Sequence, residues 1–219
     1  REENAQRVPE AITAFSPEFL EREDIRTASE MESSVPGLSI CCGRGRVAFA
    51  WIRGVPGVIG YWSDVPAFLS GSALFFDVDN ISVLKGPQGT LFGLSTNGGA
   101  ILFRPARPTE SFGGWAQGTV GNYGRRTAAA VINLPLAGEK LLVRLGAQFS
   151  NIDGYQHDLS RNQYLGDENY KLGRISATFR PSDTIENYFV VNAYESHGNG
   201  DANVTVANNP NGYANLVFG

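Results

Sequence analysis

Apolar and polar positions follow two different rules along this chain, and the change falls near Pro108. Beyond it the two classes alternate. From Leu141 to Ser150, Leu141, Val143, Leu145, Ala147 and Phe149 share one parity, while Arg144, Gln148 and Ser150 share the other with Leu142 and Gly146. Gly173, Ile175, Ala177 and Phe179 alternate with Arg174, Ser176 and Thr178, and Phe189, Val191 and Ala193 stand opposite Tyr188, Val190, Asn192 and Tyr194. A period of two is that of a strand with two unlike faces. Weaker strands are predicted at 113–121 and 125–134. Pro135 to Glu139 and Pro181 to Thr184 read as tight turns, and Asp153 to Asn169 as a long polar connection.

Before Pro108 the apolar residues cluster between glycines and prolines. Residues 14–37 predict two short helices. Ser16 caps the first, with Pro17 at its opening position and Glu18 near the positive end of its dipole. Thr27 and Glu30 have capping-box spacing for the second, and Pro36-Gly37 ends it. Leu38 to Cys42 and Val47 to Arg53 are predicted strands around Gly43-Arg44-Gly45. Ile81, Val83 and Leu84 suit a strand that stops at Gly86, and Pro87 opens a short helical turn. Gly93 and Asn97-Gly98-Gly99 tolerate positive φ, and Ala100 to Phe103 resumes an apolar strand.

Composition narrows the classes. A net charge of −4 gives no electrostatic footprint for nucleic acid. The low charged fraction, 18%, and the 26 glycines suit a β-rich protein with many turns, or a barrel. No run approaches the ~20 apolar residues of a membrane-spanning helix, which says nothing against barrel strands. Cys41 and Cys42 are adjacent and cannot staple distant elements, so they read as small strand residues. His157 and His197 are isolated and read as solvated, with no metal cluster expected. Gly86-Pro87-Gln88-Gly89 lacks the lysine and hydroxyl of a phosphate cradle, and no G-x-S-x-G occurs. Asp64, Asp77 and Asp79 read as solvated loop carboxylates. No enzyme, catalytic residue or cofactor is predicted.

One stretch is far more specific than these patterns. Residues 83–103, VLKGPQGTLFGLSTNGGAILF, closely resemble the plug signature of TonB-dependent outer-membrane receptors, where a phrase like V-L-R-G-P-Q-G-T-L-Y-G ends in N-x-x-G-G-A-I. Ile52-Arg53-Gly54-Val55 resembles the family's I-R-G motif, and Val35 to Leu38 stands where its V-P-G-L element is expected. Lys85 departs from the usual arginine, and Asn80 and Ser82 fall where acidic residues are usual, which would weaken plug–barrel ion pairing.

The resemblance implies an α/β plug, a small mixed sheet with short helices over residues 1–108, followed over 109–219 by antiparallel strands of an incomplete transmembrane β-barrel. About five strands are expected, against the 22 of plugged transporters. Alternation alone fits a soluble sheet with one buried face equally well. The plug-like neighbour favours the membrane, as do Arg144 and Arg174 opposite the apolar stripe, because a lipid-facing arginine costs roughly 2–4 kcal/mol at the midplane.

By resemblance the signature residues are Arg53, Gly54, Lys85, Gly86, Pro87, Gln88, Gly89, Gly93, Asn97, Gly98 and Gly99, with a structural role. Arg53 and Lys85 are expected to pair with acidic groups. Tyr61, Trp62 and Phe68, in the variable stretch Pro56 to Ser72, are candidates for substrate contact or for a small core. The implied function is energised uptake of a scarce ligand, a ferric siderophore foremost, across the outer membrane of a Gram-negative bacterium. The implied partners are outer-membrane lipid and the TonB energy-transducing complex, acting through an N-terminal box expected before Arg1. The opening REENAQRVPE carries no apolar leader, and Leu216 to Gly219 resembles an interrupted loop, so an N-terminal fragment is expected. The alternatives are a truncated plug-centred binding protein without transport, and more distantly a soluble β-rich interaction protein.

Overall fold

In the computed structural model the described residues are 11–41, 48–67, 69, 72–89, 96–137, 140–159, 162–182 and 184–199. A mixed sheet comes first, in the order β1-β6-β7-β4-β5. Its strands are β1 (Ala11–Phe15), β4 (Val58–Trp62), β5 (Val65–Ala67), β6 (Val78–Lys85) and β7 (Gly99–Pro105). β6 pairs antiparallel with β1 and β7, and β4 runs parallel to β7. The hairpin of β2 (Leu38–Cys41) and β3 (Phe49–Ile52) and a short helix α1 (Pro17–Arg22) complete this unit.

Its core is conventional. Ile81, Val83, Ile101 and Phe103 are fully buried with Met31, Val35 and Ile52, and Phe75 meets Phe103 edge-on at 5.4 Å. Each such side chain contributes roughly 1.5–3 kcal/mol by leaving water. Local signals act as the sequence predicts at α1, where the Ser16 hydroxyl accepts the Phe19 N–H at 3.3 Å and Pro17 follows it. A hydrogen bond with Ser16 holds the Glu18 carboxyl below its usual range.

The second predicted helix is only a 3-10 turn, Ser29–Ser33. Glu30 does fold back as a capping box requires, accepting the N–H groups of Thr27 at 2.9 Å and Arg26 at 2.7 Å. The cap position is Ala28, which offers no side-chain bond, and Pro36 and Gly37 leave no room for further turns.

The second sheet is antiparallel throughout, in the order β14-β13-β10-β9-β8. It comprises β8 (Gly113–Val120), β9 (Arg126–Leu136), β10 (Leu141–Ile152), β13 (Glu168–Ser182) and β14 (Ile185–His197). The predicted phase holds. Leu142, Arg174, Ser176 and Thr178 point inward and are buried, whereas Phe149, Ile175, Phe179, Phe189 and Val191 point outward and are exposed. The long connection is not wholly irregular, because β11 (Gln156–Asp158) and β12 (Gln163–Leu165) pair within it as a hairpin. The predicted turn around Pro135 is also shorter than expected, since β9 continues through Pro135 to Leu136. Cys42, Gly43 to Val47, residues 90–95 and Leu216 to Gly219 lie outside the described residues.

Candidate functional site

The mixed sheet meets the inner face of the second sheet, here called the wall, at the turn that leads into β6. Asp77 occupies that turn with φ at +48°. Its carboxylate receives two hydrogen bonds from Arg144 of β10, from Nε at 2.8 Å and from Nη2 at 2.6 Å. The aspartate side chain is 5% exposed and the arginine 15%. Bidentate pairing of this kind is geometrically specific, and losing one partner of a buried pair costs roughly 3–5 kcal/mol. Asp77 is therefore not the solvated loop carboxylate expected above; the wall removes it from water and supplies its counter-charge. Asp64 and Asp79 remain exposed.

A second arginine closes on the same turn. Arg174 of β13 is 3% exposed and donates from Nη1 to the carbonyls of Phe76 and of Asp77, the latter at 3.0 Å. Its Nε donates to Asn192 Oδ1 at 2.7 Å. The guanidinium lies over the Trp62 ring at 4.5 Å and over Phe76 at 5.3 Å, so planar stacking and cation–π attraction add to the hydrogen bonds. Between the two arginines stands Gly146, where a Cβ would come within 2.7 Å of the Phe76 ring. The wall thus leaves a gap for this aromatic residue where its neighbours on β10 carry side chains.

Two further contacts tie the units together. Gln117 donates to Glu21 at 3.0 Å, and Arg125 lies 3.8 Å from Asp24. Beside them a cavity of about 420 Å³ opens between α1 and the wall, lined by Leu20, Glu21, Phe76, Trp115, Gln148 and Tyr170. After β7, Asn133 holds the linking segment, donating to the carbonyls of Thr109 at 2.8 Å and Ser111 at 2.6 Å and accepting the Thr109 N–H at 2.8 Å.

The signature residues gather at one corner of the mixed sheet. Gly86, with φ at +105°, donates to the carbonyl of Gly98 at 3.2 Å, and Gln88 donates from its backbone to that of Thr96 at 3.0 Å. A Cβ on Gly98 would come within 2.5 Å of the Val55 carbonyl, which brings the Arg53-Gly54 turn against this corner. Arg53 holds φ at +54° and donates its backbone N–H to Gly37 at 2.7 Å. Lys85 donates to the Pro36 carbonyl at 3.3 Å. Among the described residues neither Arg53 nor Lys85 forms the expected ion pair, and the Lys85 ammonium meets a backbone carbonyl instead. Pro87, Gly89 and Asn97 are exposed, Gln88 and Gly99 are buried, and Gly93 lies outside the described residues.

The aromatic candidates separate. Tyr61 is 2% exposed and packs with Leu84 and Ala100, and burial raises its phenol pKa. It is a core residue of β4 rather than part of a binding loop. Trp62 is half-buried and belongs to the Arg174 stack, while Phe68 lies outside the described residues. Sequence reasoning missed the Phe76–Asp77 turn as a site. Its signal was the pair of inward-facing arginines, each of which demanded an acceptor inside the wall.

Comparison with known proteins accords with this arrangement. Residues 4–100 match the TonB-dependent Receptor Plug Domain. The pesticin receptor of Yersinia enterocolitica is 30% identical over 119 residues, covering 49% of this chain and 18% of the receptor. Among solved structures, the ferric yersiniabactin uptake receptor FyuA from Yersinia pestis superposes with a TM-score of 0.75 at 23% identity, over 84% of this chain and 31% of that one. The ferric-catecholate import receptor Fiu from E. coli K12 gives 0.73 at 18%, over 89% and 28%. The pyoverdine receptor FpvA from Pseudomonas aeruginosa PAO1 gives 0.72 at 14%, over 86% and 28%. The chain therefore spans under a third of the length of these relatives.

Proposed function

We propose, for a chain that belongs through its plug to the TonB-dependent receptor family, a role in energised uptake of a ferric siderophore across the outer membrane of a Gram-negative bacterium. In this reading residues 1–108 are the plug and 109–219 supply the first strands of the barrel around it. The observation that carries the reading is the inside-out wall. Its apolar stripe faces away from the mixed sheet, while Arg144, Arg174, Ser176 and Thr178 face toward it. A soluble sandwich would pack its apolar faces together, whereas a barrel lumen that holds a plug presents polar groups to it and apolar groups to lipid.

Support for a ferric siderophore as the ligand comes from proteins of similar fold, whose names record ferric yersiniabactin, ferric catecholate and pyoverdine. Copper is the cargo named for another of similar fold, OprC. The family comprises receptors and transporters rather than enzymes, and transport in it requires the plug to shift within the barrel. The partner that would drive this shift is the TonB energy-transducing complex. The plug–wall contacts set what such a pull must overcome, with Asp77 bound by two arginines at the base of β6. The signature corner, held mostly by backbone hydrogen bonds, ties the end of β6 to the residues that lead into β7.

Uptake of radiolabelled ferric siderophores by cells that carry or lack the gene tests the reading. Accumulation that requires both the gene and a proton gradient is expected. Equal accumulation in both strains for ferric siderophores, with gene-dependent uptake of a copper chelate, would reassign the cargo. No gene-dependent uptake of either would overturn the transport role.

A further inference from the structure

We propose that residues 107–111 form a strap across the inner mouth of the wall, clasped chiefly by Asn133, and that this strap limits how far the plug can move. The proposal rests on the reading of the mixed sheet as a plug under an energised pull. It goes beyond that reading by assigning the stop and the residues that make it.

The segment meets three strands of the wall in turn. The Arg107 guanidinium lies over the Tyr188 ring at 4.6 Å and 3.2 Å from Glu186, both on β14. Glu110 accepts from Arg180 of β13 at 2.7 Å, and Arg180 also donates to Glu186 at 2.8 Å. Thr109 and Ser111 reach Asn133 of β9, and β8 begins at Gly113. The chain therefore crosses the wall from β14 over β13 to β9 before it joins the sheet. These contacts cluster at the end where β9 turns tightly into β10 and β13 into β14. Short turns mark the inner end of such barrels, which puts the strap at the periplasmic mouth.

Asn133 holds the strap as one peptide group holds another. Its Oδ1 accepts the Thr109 N–H, and its Nδ2 donates to the carbonyls of both Thr109 and Ser111. The strap thus demands two donors and one acceptor from a single side chain, which an amide supplies and a carboxylate does not. Pro108 is buried in the same segment, and its ring fixes φ there. The two kinds of contact differ in worth. Arg107, Glu110, Arg180 and Glu186 are between 36% and 63% exposed, so salt screens them and they hold weakly. Asn133 is 2% exposed, and leaving its partners unmet is costly.

The strap follows β7 directly, with the Ala106 N–H donating to the Asp77 carbonyl at 2.9 Å. β7 is interior to the mixed sheet, between β6 and β4, so whatever holds its end holds the middle of the plug. A pull applied ahead of β1 acts on an edge strand of the same sheet, and its load reaches the strap last. The geometry therefore separates a plug that can shift from a plug that can leave.

The test follows amide hydrogen exchange of the strap in the full-length receptor in nanodiscs, and entry of vancomycin into cells with and without a proton gradient. Asn133→Ala is expected to speed exchange at the Thr109 amide about tenfold, and Arg180→Ala by no more than about twofold. Asn133→Asp keeps the size and the acceptor but loses both donors, so it also speeds exchange, and it carries the test if the alanine variant does not assemble. Cells with either Asn133 variant are expected to admit vancomycin several-fold faster than wild type, and only while the gradient is present. Exchange at the wild-type rate in both Asn133 variants would overturn the clasp. Faster exchange without gradient-dependent entry, or entry that needs no gradient, would overturn the stop. A wild-type receptor without gene-dependent uptake would instead overturn the transport reading, and Thr109 exchange would still decide the clasp.

Discussion

Ile81 of the mixed sheet is 0% exposed and Phe149 of the wall is 57% exposed, although each lies on the apolar stripe of its strand. The plug sheet buries its apolar face against its own hairpin and helix, as water-soluble domains do. The wall turns its apolar face outward and buries arginine, serine and threonine, which is sensible only where the outer solvent is hydrocarbon. Hydrophobic patterning therefore identifies which residues share a face but not which way that face looks. The direction is set by what each sheet packs against.

This contrast can be broken from either side. The largest effects are expected in the plug and at its junction with the wall. Phe103→Ala removes a fully buried ring and should cost about 3–5 kcal/mol, measured by denaturant unfolding of the detergent-solubilised receptor. Asp77→Ala should cost roughly 3–5 kcal/mol by stranding buried Arg144, and Asp77→Asn should recover part of this because it keeps an acceptor. If Asp77→Ala left stability unchanged, the junction would not hold the plug.

Next comes the outward face. Ile175→Arg should reduce stability in lipid by roughly 2–4 kcal/mol, read as the loss of bilayer insertion. The conservative Phe149→Ala should cost several-fold less than Phe103→Ala, because lipid tails replace the contacts the ring loses. Equal costs at Phe149 and Phe103 would mean that the wall face is covered by protein. The smallest effect expected is at a local signal, where Ser16→Ala should cost about 1 kcal/mol by removing the cap of α1.

Much of this was legible because it is local. Period-two alternation named the outward and inward sets of β10 and β13 residue by residue, since side chains on a strand point to alternate faces regardless of what lies beyond. Ser16, Pro17 and Glu18 marked α1 through interactions spanning one turn. The signature between Val83 and Phe103 named the plug by resemblance, and two of its glycines, Gly98 and Gly99, meet backbone that leaves no room for a Cβ. A Cβ on Gly99, for example, would collide with the Leu84 carbonyl.

What failed in the sequence reading failed for want of long-range partners. Thr27 and Glu30 promised a helix, but the chain is turned at Gly37 to reach β2 before one can grow. Tyr61 was open between substrate contact and a small core, and only the pairing of β4 with β7 and the packing of Leu84 and Ala100 put it in the core. Asp77 resembled Asp64 and Asp79 in every local respect, and the arginine that distinguishes it lies 67 residues further along the chain.

The sequence by itself determined the two kinds of patterning, the strand parities and the plug signature, because these depend on neighbours within a few residues. Only the tertiary structure decided that Asp77 is buried between two arginines, that Gly146 makes room for Phe76, and that the signature corner meets the Arg53 turn. Those outcomes depend on which distant strands are brought together, and pairing across such separations leaves no periodic trace in the chain.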